Sequence, residues 1–186
     1  MRDDTDHDDP DHDDPERRRF TEYFAAQREP VRRTAYLICG DWHWAEDLTQ
    51  NAFIRLAQGW HRIRDPRAVD AYLRTCLVRA YLAEVRRVWR RRERPVAETP
   101  ESAAVGDDAE DTVRRIVFAE ALGRLPPRQR VTLVCRYYQG LDVAETAAVL
   151  GCSEGTVKSQ TARGLTALRR ELGSAVVPPE PIVVER

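Results

Sequence analysis

The apolar residues of this chain recur at steps of three and four, and this spacing constrains the fold more than any other feature of the sequence. Phe20, Tyr23 and Phe24 begin the pattern, which continues to Leu172 without an alternating run typical of a strand. Such spacing places apolar side chains on one side of an α-helix. We therefore predict an all-α fold. After the first helical segment, helices are predicted at about 44–60, 66–93, 112–123, 126–139, 142–150 and 153–172.

Prolines and a glycine interrupt this pattern at defined places. Pro30 lacks the backbone N–H of a helix and its ring crowds the preceding turn, so we predict a break or kink near 28–30. The segment GDWHW at 40–44 predicts a turn. Pro66 and the LPP segment at 125–127 mark the starts of later helices, because proline fits the first turn.

The charged residues are segregated into acidic and basic blocks. Residues 1–15 carry eight acidic side chains and one basic, and residues 96–112 carry six acidic and none basic. In contrast, residues 16–95 carry 18 basic and 10 acidic side chains, and residues 113–172 carry 10 basic and 5 acidic. Two separate basic blocks predict a polyanionic partner, of which nucleic acid is the leading candidate.

The same blocks predict two small helical domains joined by a flexible acidic linker. Acidic stretches with prolines and few apolar residues bury too little surface to offset the entropy of ordering. The predicted organisation is a disordered acidic tail at 1–15, a first lobe at 16–94, a linker at 95–111, a second lobe at 112–172 and a loose tail at 173–186.

Length and cysteine usage fit this division. The chain has 186 residues, enough for one ordinary domain or two small ones. Its four cysteines are dispersed without a C-x-x-C pair, so we expect reduced thiols that serve mainly for packing.

The chain has no apolar run of about 18 residues, and its acidic start is unlike a secretory signal. We expect a cytoplasmic protein.

Residues 142–170 have the layout of a helix-turn-helix motif. Gly151 lies where the chain must turn, and Ser153 is a good N-cap for the second helix. One side of that helix is polar or cationic: Thr156, Ser159, Arg163, Thr166 and Arg170, with Lys158 on the flank and Gln160 nearby. Such side chains suit base edges and phosphates in the major groove. The alternative is an ordinary amphipathic helix with a solvated polar side.

The helix predicted at 44–60 has an isolated apolar residue on its polar side. Ala45, Leu48, Ala52, Leu56 and Trp60 share one side of the helical wheel, with Phe53 at its edge. Ile54 lies among the polar residues of the opposite side. It is either a simple exposed residue or the anchor of a protein contact.

The helix predicted at 66–93 combines arginines with aromatic residues. Its end, VRRVWRRRER, holds six arginines, and Tyr72, Tyr81 and Trp89 are interleaved along the segment. Arginines that bind phosphate and aromatic rings that stack on bases are suited to single-strand capture. Aromatic residues in the core and solvated arginines near a helix C-terminus explain the pattern equally well.

The order of these parts resembles a known family, the bacterial RNA polymerase sigma factors of the extracytoplasmic-function type, which keep only domains two and four. RTAYLICGDWHWAEDLTQNAFIRLAQGW is similar to the segment of domain two that binds the polymerase clamp. LPPRQRVTLVCRYYQGLDVAETAAVLGCSEGTVKSQTARGLTALRREL is similar to domain four throughout. The resemblance covers about 20–172, and RTAYLICGD and GTVKSQTARGL are closest to the actinobacterial SigE-family subgroup.

The resemblance implies roles for the matching positions. Contacts with the clamp helices of the largest subunit of core RNA polymerase are implied for Asp47, Gln50, Asn51, Phe53, Ile54 and Arg55. Opening and capture of the −10 promoter element are implied for Arg64, Arg67, Arg74, Arg79, Arg86 and Arg87. Reading of the −35 element as duplex DNA is implied for Thr156, Lys158, Ser159, Gln160 and Arg163. The linker would thread toward the RNA exit channel.

Two positions depart from the family pattern. Asn51 stands where relatives usually carry Glu, which weakens or replaces one charge-assisted contact with the polymerase. Arg79 stands where many relatives carry Asn, which leaves the base preference open.

Partners and alternatives follow from the same residues. A sigma factor has no active site of its own, and we expect no catalytic residue, metal or cofactor. An anti-sigma protein is a further potential partner, expected to wedge between the lobes. The alternative function is a free-standing helix-turn-helix regulator, which leaves the segments around Ile54 and Tyr72 without a role.

The acidic tail at 1–15 either folds back on the DNA-binding surfaces or is a solubilising extension. Its aspartates and histidines could bind a metal ion only weakly, because the tail provides no fixed scaffold.

Overall fold

The computed structural model describes residues 14–65, 67–91 and 109–173, and within these ranges it contains helices and no strand. The helices are α1 (Pro15–Cys39), α2 (Trp42–Gly59), α3 (Arg67–Arg91), α4 (Ala109–Gly123), α5 (Pro127–Leu133), α6 (Val143–Leu150) and α7 (Glu154–Leu172). The all-α prediction is confirmed. In the described ranges no helix combines the length and apolar character needed to cross a membrane. Residues 1–13 of the predicted acidic tail, most of the linker and most of the C-terminal tail lie outside these ranges. The predicted limits of the tail and linker are corrected where described, since Asp14 caps α1 and α4 begins at Ala109.

The first helix continues through Pro30, so of the predicted break or kink near 28–30 the break is wrong. The carbonyl of Pro30 accepts a hydrogen bond of 3.0 Å from the Thr34 hydroxyl, within the same helix. Residues on both sides of Pro30 pack on one core, including Phe24 before it and Ile38 after it. This packing favours a continuous helix over the local cost of the missing N–H.

The turn between α1 and α2 is shorter than the predicted segment 40–44. Gly40 ends α1 in the left-handed conformation, with φ 81°, and its N–H bonds to the Tyr36 carbonyl. Asp41 then caps α2 by accepting a hydrogen bond of 2.6 Å from the Trp44 N–H. The first tryptophan of the segment, Trp42, already belongs to α2 because the Asp41 side chain satisfies the open end of the helix.

Helices α1, α2 and α3 form the first lobe around a shared core. Leu48, Leu56, Leu77 and Tyr81 are among its nearly inaccessible side chains. Tyr81 was one of the interleaved aromatic residues, and its burial assigns it to the core. Burial raises the pKa of its hydroxyl to about 12.

Helices α4 to α7 form the second lobe, in which a π-helical turn at Val134–Tyr138 continues α5. Asp142 and Glu145 form a capping box at α6, with hydrogen bonds of 2.7 and 2.9 Å. Gly164 of α7 lies so close to α5 that a Cβ atom there would be 3.1 Å from Leu133 Cγ. A small residue at this position therefore sets the approach of the two helices.

The two lobes pack directly on each other. Val131, Cys135, Leu141 and Val149 of the second lobe belong to the same hydrophobic cluster as the core of the first. Gln139 also donates a hydrogen bond of 3.0 Å to the Thr34 hydroxyl. The described parts of the lobes thus share one hydrophobic cluster, while a second cluster around Leu122 and Leu168 lies within the second lobe.

All four cysteines are free, as predicted from their spacing. Cys76 and Cys135 are buried, while Cys39 and Cys152 are partly buried. Burial raises the pKa of the Cys39 thiol to about 11 and that of Cys135 to about 12. The cysteines therefore serve packing, at least at the two buried positions.

Candidate nucleic-acid interface

The outward side of α2 forms a shallow depression of about 340 Å³ against α3. Ile54 is 55% exposed within it. The lining of this α2 depression consists of Trp44, Asp47, Leu48, Gln50, Asn51, Ile54, Glu84 and Arg87. Four of the six residues predicted to contact the polymerase thus surround one surface: Asp47, Gln50, Asn51 and Ile54.

The other two residues predicted for that contact lie elsewhere. Phe53 is only 3% exposed and packs edge-on against Phe24, with ring centroids 4.8 Å apart. It therefore supports the depression from the core and offers no surface of its own. Arg55 is exposed but lines a different groove, at the C-terminal end of α2. The helical wheel had already placed Phe53 at the edge of the apolar side.

A groove of about 640 Å³ lies between the end of α2, the following 3₁₀ turn and the first half of α3. The lining of this arginine groove consists of Arg55, Gln58, Gly59, Arg62, Ala68, Ala71, Tyr72, Thr75, Cys76 and Arg79. Three guanidinium groups and an exposed tyrosine ring converge here, and no carboxylate is among the lining side chains. The groove therefore has the chemistry that binds the phosphates and bases of a single strand.

The local sequence explains how this groove opens. Gly59 has no side chain, and a Cβ there would lie 3.2 Å from the Tyr72 hydroxyl oxygen. Tyr72 itself remains 40% exposed. The nearby charge of Cys76 and burial raise the pKa of its hydroxyl, against the opposing effect of Arg55 and Arg62. A glycine at the end of α2 thus lets the ring stand at the edge of the groove.

The six arginines predicted for the −10 element do not form one surface. Arg79 lies in the arginine groove, whereas Arg87 lines the α2 depression and bonds to Glu84 at 2.9 Å. Arg64 and Arg67 are exposed near the start of α3, and Arg86 donates to the Leu82 carbonyl at 3.1 Å. A helix of 25 residues turns its side chains in all directions, so proximity in sequence did not group them.

The sixth arginine, Arg74, faces the second lobe. It lines a small interlobe cavity of about 130 Å³ together with Tyr23, Asp70 and Gln139. The Tyr23 hydroxyl donates a hydrogen bond of 2.6 Å to Asp70. Burial and this bond raise the pKa of Tyr23. The half-buried Arg74 is thus part of the contact between lobes.

One residue of the groove was missed from the sequence. Arg62 lies in the 3₁₀ turn after α2, and its Nε is 3.3 Å from His61 Nε2. The sequence signal for Arg62 is Gly59 at the end of α2, because a glycine there indicates a turn that leads back toward the start of α3.

Helices α6 and α7 form the predicted helix-turn-helix. Gly151 takes the left-handed conformation with φ 62°, and the Ser153 side chain accepts a hydrogen bond of 3.2 Å from the Thr156 N–H. Val157 and Leu168 are buried on one side of α7. The turn and cap thus fix α7 by the mechanisms that the sequence indicated.

All five residues predicted to read duplex DNA lie on the outer part of α7. Lys158, Ser159 and Arg163 are exposed, while Thr156 and Gln160 are partly exposed. Neither Lys158 nor Arg163 forms an ion pair with any residue in the described ranges. Ser159 donates to the Thr156 carbonyl at 2.9 Å and keeps acceptor capacity. The surface is cationic and rich in hydrogen-bonding groups.

Two family models match the chain. Sigma-70 region 2 matches residues 23–91, and Sigma-70, region 4 matches residues 115–168. The first therefore covers α2, the arginine groove and α3, and the second covers the helix-turn-helix.

Solved structures share the fold. The sigma factor RpoE in complex with the anti-sigma factor NepR from Bartonella quintana aligns with a TM-score of 0.63 and 23% identity, covering 83% of this chain and 97% of that one. CnrH in complex with the cytosolic domain of CnrY aligns with a TM-score of 0.57 and 21% identity, covering 86% and 91%.

Curated relatives match most of the chain. The RNA polymerase sigma-E factor of Streptomyces avermitilis is 37% identical over 155 residues, which cover 83% of this chain and 86% of that protein. The ECF RNA polymerase sigma factor SigM of Mycobacterium tuberculosis is 33% identical over 154 residues, covering 83% and 77%. This chain belongs to the RNA polymerase sigma factors of the extracytoplasmic-function type.

Proposed function

We propose that residues 16–94 act as sigma domain two and residues 112–172 as sigma domain four of a promoter-specificity subunit for core RNA polymerase. The α2 depression is the observation that carries the proposal. A free-standing helix-turn-helix regulator needs α7 and has no use for an apolar anchor ringed by polar groups on a separate lobe. A polymerase subunit needs both surfaces.

The α2 depression is the proposed contact with the clamp helices of the largest subunit. Ile54 supplies an exposed apolar side chain, and Asp47, Gln50 and Asn51 surround it with hydrogen-bonding groups. A central apolar residue with a polar rim is the usual anatomy of a protein interface. Arg87 and Glu84, which form an ion pair at 2.9 Å, complete the polar rim on the α3 side of the depression.

The arginine groove is the proposed site of −10 capture. Once a promoter is open, its phosphates would contact Arg55, Arg62 and Arg79, and a base would stack on Tyr72. Arg64 and Arg67 lie close in sequence to this groove and are proposed to contact the flanking duplex. Arg74 and Arg86 are assigned no direct −10 contact.

Helix α7 is the proposed reader of the −35 element. Arg163 presents a planar guanidinium that can bond two acceptors of a guanine, while Lys158 supplies a flexible point charge for a phosphate. Thr156, Ser159 and Gln160 add shorter hydrogen-bonding groups between these cations. Reading duplex DNA with one lobe and a single strand with the other is what promoter opening requires.

The proposal includes no active site, metal or cofactor in this chain. Sigma factors direct the chemistry of the polymerase, so the protein would act in the cytoplasm with the polymerase and promoter DNA. An anti-sigma protein is a further proposed partner, and the contact between the lobes is where it would insert.

A pull-down with purified core polymerase tests the proposal. Ile54→Asp is expected to weaken the complex at least about tenfold, because it places a charge in the centre of an interface. Val117→Asp is the matched control, since Val117 is a similarly exposed apolar residue of the other lobe, 47% accessible against 55% for Ile54. Absence of binding by the unmodified chain would favour the free-standing regulator instead.

A further inference from the structure

The arginine groove carries a positive charge that its surroundings do not balance. Its lining contains three arginines, Arg55, Arg62 and Arg79, and no acidic residue. None of the three forms an ion pair with a residue in the described ranges. The lining of the groove therefore carries a net positive charge, which attracts anions.

The acidic N-terminal segment joins the described chain next to the C-terminal end of α2, the same end of the helix that lines the groove. Asp14, the N-cap of α1, shares a surface depression with Ala57, Trp60 and His61. These positions are immediate neighbours in sequence of the groove residues Gln58 and Gly59. Arg55 and Arg62 of the groove lie within two residues of Ala57 and His61 in the sequence, so the tail is attached at the same end of α2 as these arginines.

The segment before Asp14 has the charge that the groove lacks. Residues 1–13 contain seven aspartates and one arginine. Fully extended, 13 residues span about 40 Å, which is enough to run along the groove. A short covalent connection also holds such a segment at an effective concentration in the millimolar range.

We propose that residues 1–13 occupy the arginine groove in the free protein as a polyanion and compete there with single-stranded nucleic acid. The inference rests on the proposed −10 role of the groove and adds an occupant from within the chain. Weak, salt-sensitive binding of the tail keeps the groove closed to nonspecific DNA. A promoter strand opened within the polymerase complex displaces the tail, because it adds base stacking to the phosphate contacts.

The acidic linker is a less suitable occupant. Helix α3 continues to Arg91, twelve residues beyond Arg79, so the linker begins roughly 18 Å farther along the helix. Its other end is fixed at the start of α4, at Ala109. Residues 1–13, in contrast, precede Asp14, which lies at the end of α2 that lines the groove.

The test is fluorescence anisotropy of the free full-length chain with a labelled 20-nucleotide oligo-dT strand, at low and at moderate salt. In the tail variant, asparagine replaces Asp3, Asp4, Asp6, Asp8, Asp9, Asp11 and Asp13. A linker variant removes four negative charges, against seven in the tail variant, and controls for charge lost outside the tail; its substitutions are Glu98→Gln, Glu101→Gln, Asp107→Asn and Asp108→Asn. Both variants are also measured in a chain that carries Arg62→Gln and Arg79→Gln together.

The tail variant is expected to bind oligo-dT at least about tenfold more tightly than the unmodified chain at low salt, with a smaller difference as salt rises. The linker variant is expected to change by less than about threefold. With the two groove arginines replaced, the gain from the tail substitutions should fall below about twofold. A synthetic peptide of residues 1–13 should compete with the strand for a chain that lacks residues 2–13.

Each contrary result overturns the inference in a distinct way. If the tail variant and the unmodified chain bind oligo-dT with equal affinity, the tail is only a solubilising extension. A larger gain in the linker variant makes the linker the occupant, and a gain that survives loss of the groove arginines places the tail on another surface. The core-polymerase pull-down is measured separately, so a chain that binds core but shows no tail effect refutes this inference alone.

Discussion

The Arg130 guanidinium of the second lobe donates a hydrogen bond of 3.1 Å to the Ile38 carbonyl of the first. Arg130 is only 8% exposed. It also donates to the carbonyls of Gly123 and Leu125, the latter at 3.3 Å. One buried cation therefore satisfies carbonyls at the ends of α1 and α4 and ties the two lobes together.

Arg130→Ala is expected to lower the free energy of unfolding by about 3 kcal/mol, because three carbonyls lose a charged donor and a cavity forms. Arg128→Ala, an exposed residue of the same helix, is expected to change it by less than about 0.5 kcal/mol. Urea denaturation measures both. Equal values for the two variants would show that Arg130 does not hold the lobes.

Gly164→Ala tests the close approach of α7 to α5. The added methyl would meet Leu133 at 3.1 Å, whereas a Cβ at Gly155 meets nothing nearer than Ser153 Oγ at 3.9 Å. Both changes bring the higher helix propensity of alanine, so their difference isolates packing. Gly164→Ala should be less stable than Gly155→Ala by about 1–3 kcal/mol in thermal or urea unfolding. If the two have the same stability, α5 accommodates the methyl freely.

The two cations of α7 are expected to behave differently toward duplex DNA. Arg163→Ala should cost about 1–3 kcal/mol on a −35 sequence and relax the preference at one base pair. Lys158→Ala should weaken binding to all sequences alike and reduce the salt slope by about one. Titrations with single-base-pair variants at several salt concentrations separate them. Sequence-specific loss in Lys158→Ala would reverse the assignment.

The buried thiol of Cys135 predicts a loss of stability at alkaline pH. Burial raises its pKa from the ordinary value of 9.0 to about 12 in the folded chain. The folded state keeps its proton where the unfolded state loses it, so this contribution is complete below pH 9 and declines toward pH 12. Between pH 9 and pH 12, the free energy of unfolding measured in urea should fall less steeply with pH in Cys135→Ala than in the unmodified chain. The difference in slope should reach up to about 1.4 kcal/mol per pH unit. An unchanged slope would contradict burial of the thiol.

The sequence predicted the elements of the fold better than their arrangement. Periodicity located the helices, and the N-cap Ser153 was recognised from local chemistry. Pro30 misled the prediction because packing of α1 on the core is a tertiary effect that outweighs a local preference. Arg130 gave no signal as an interlobe residue, since its partner Ile38 is 92 residues away in the chain.

The sites show the same limit. The residues of α7 and most of those of the α2 depression were predictable, because each set lies on one side of one helix. The arginine groove was only partly predictable because it joins Arg55 and Arg62 from around the end of α2 to Arg79 of α3. Which side chains meet across two helices depends on packing that periodicity does not specify.

Run-off transcription with actinobacterial core polymerase and a library of DNA templates tests the central claim most directly. The account predicts transcripts with defined 5′ ends that appear only when the chain is added, and loss of these transcripts with Ile54→Asp but not with Val117→Asp. Transcripts that do not depend on the chain, or equal activity of the two variants, would contradict it.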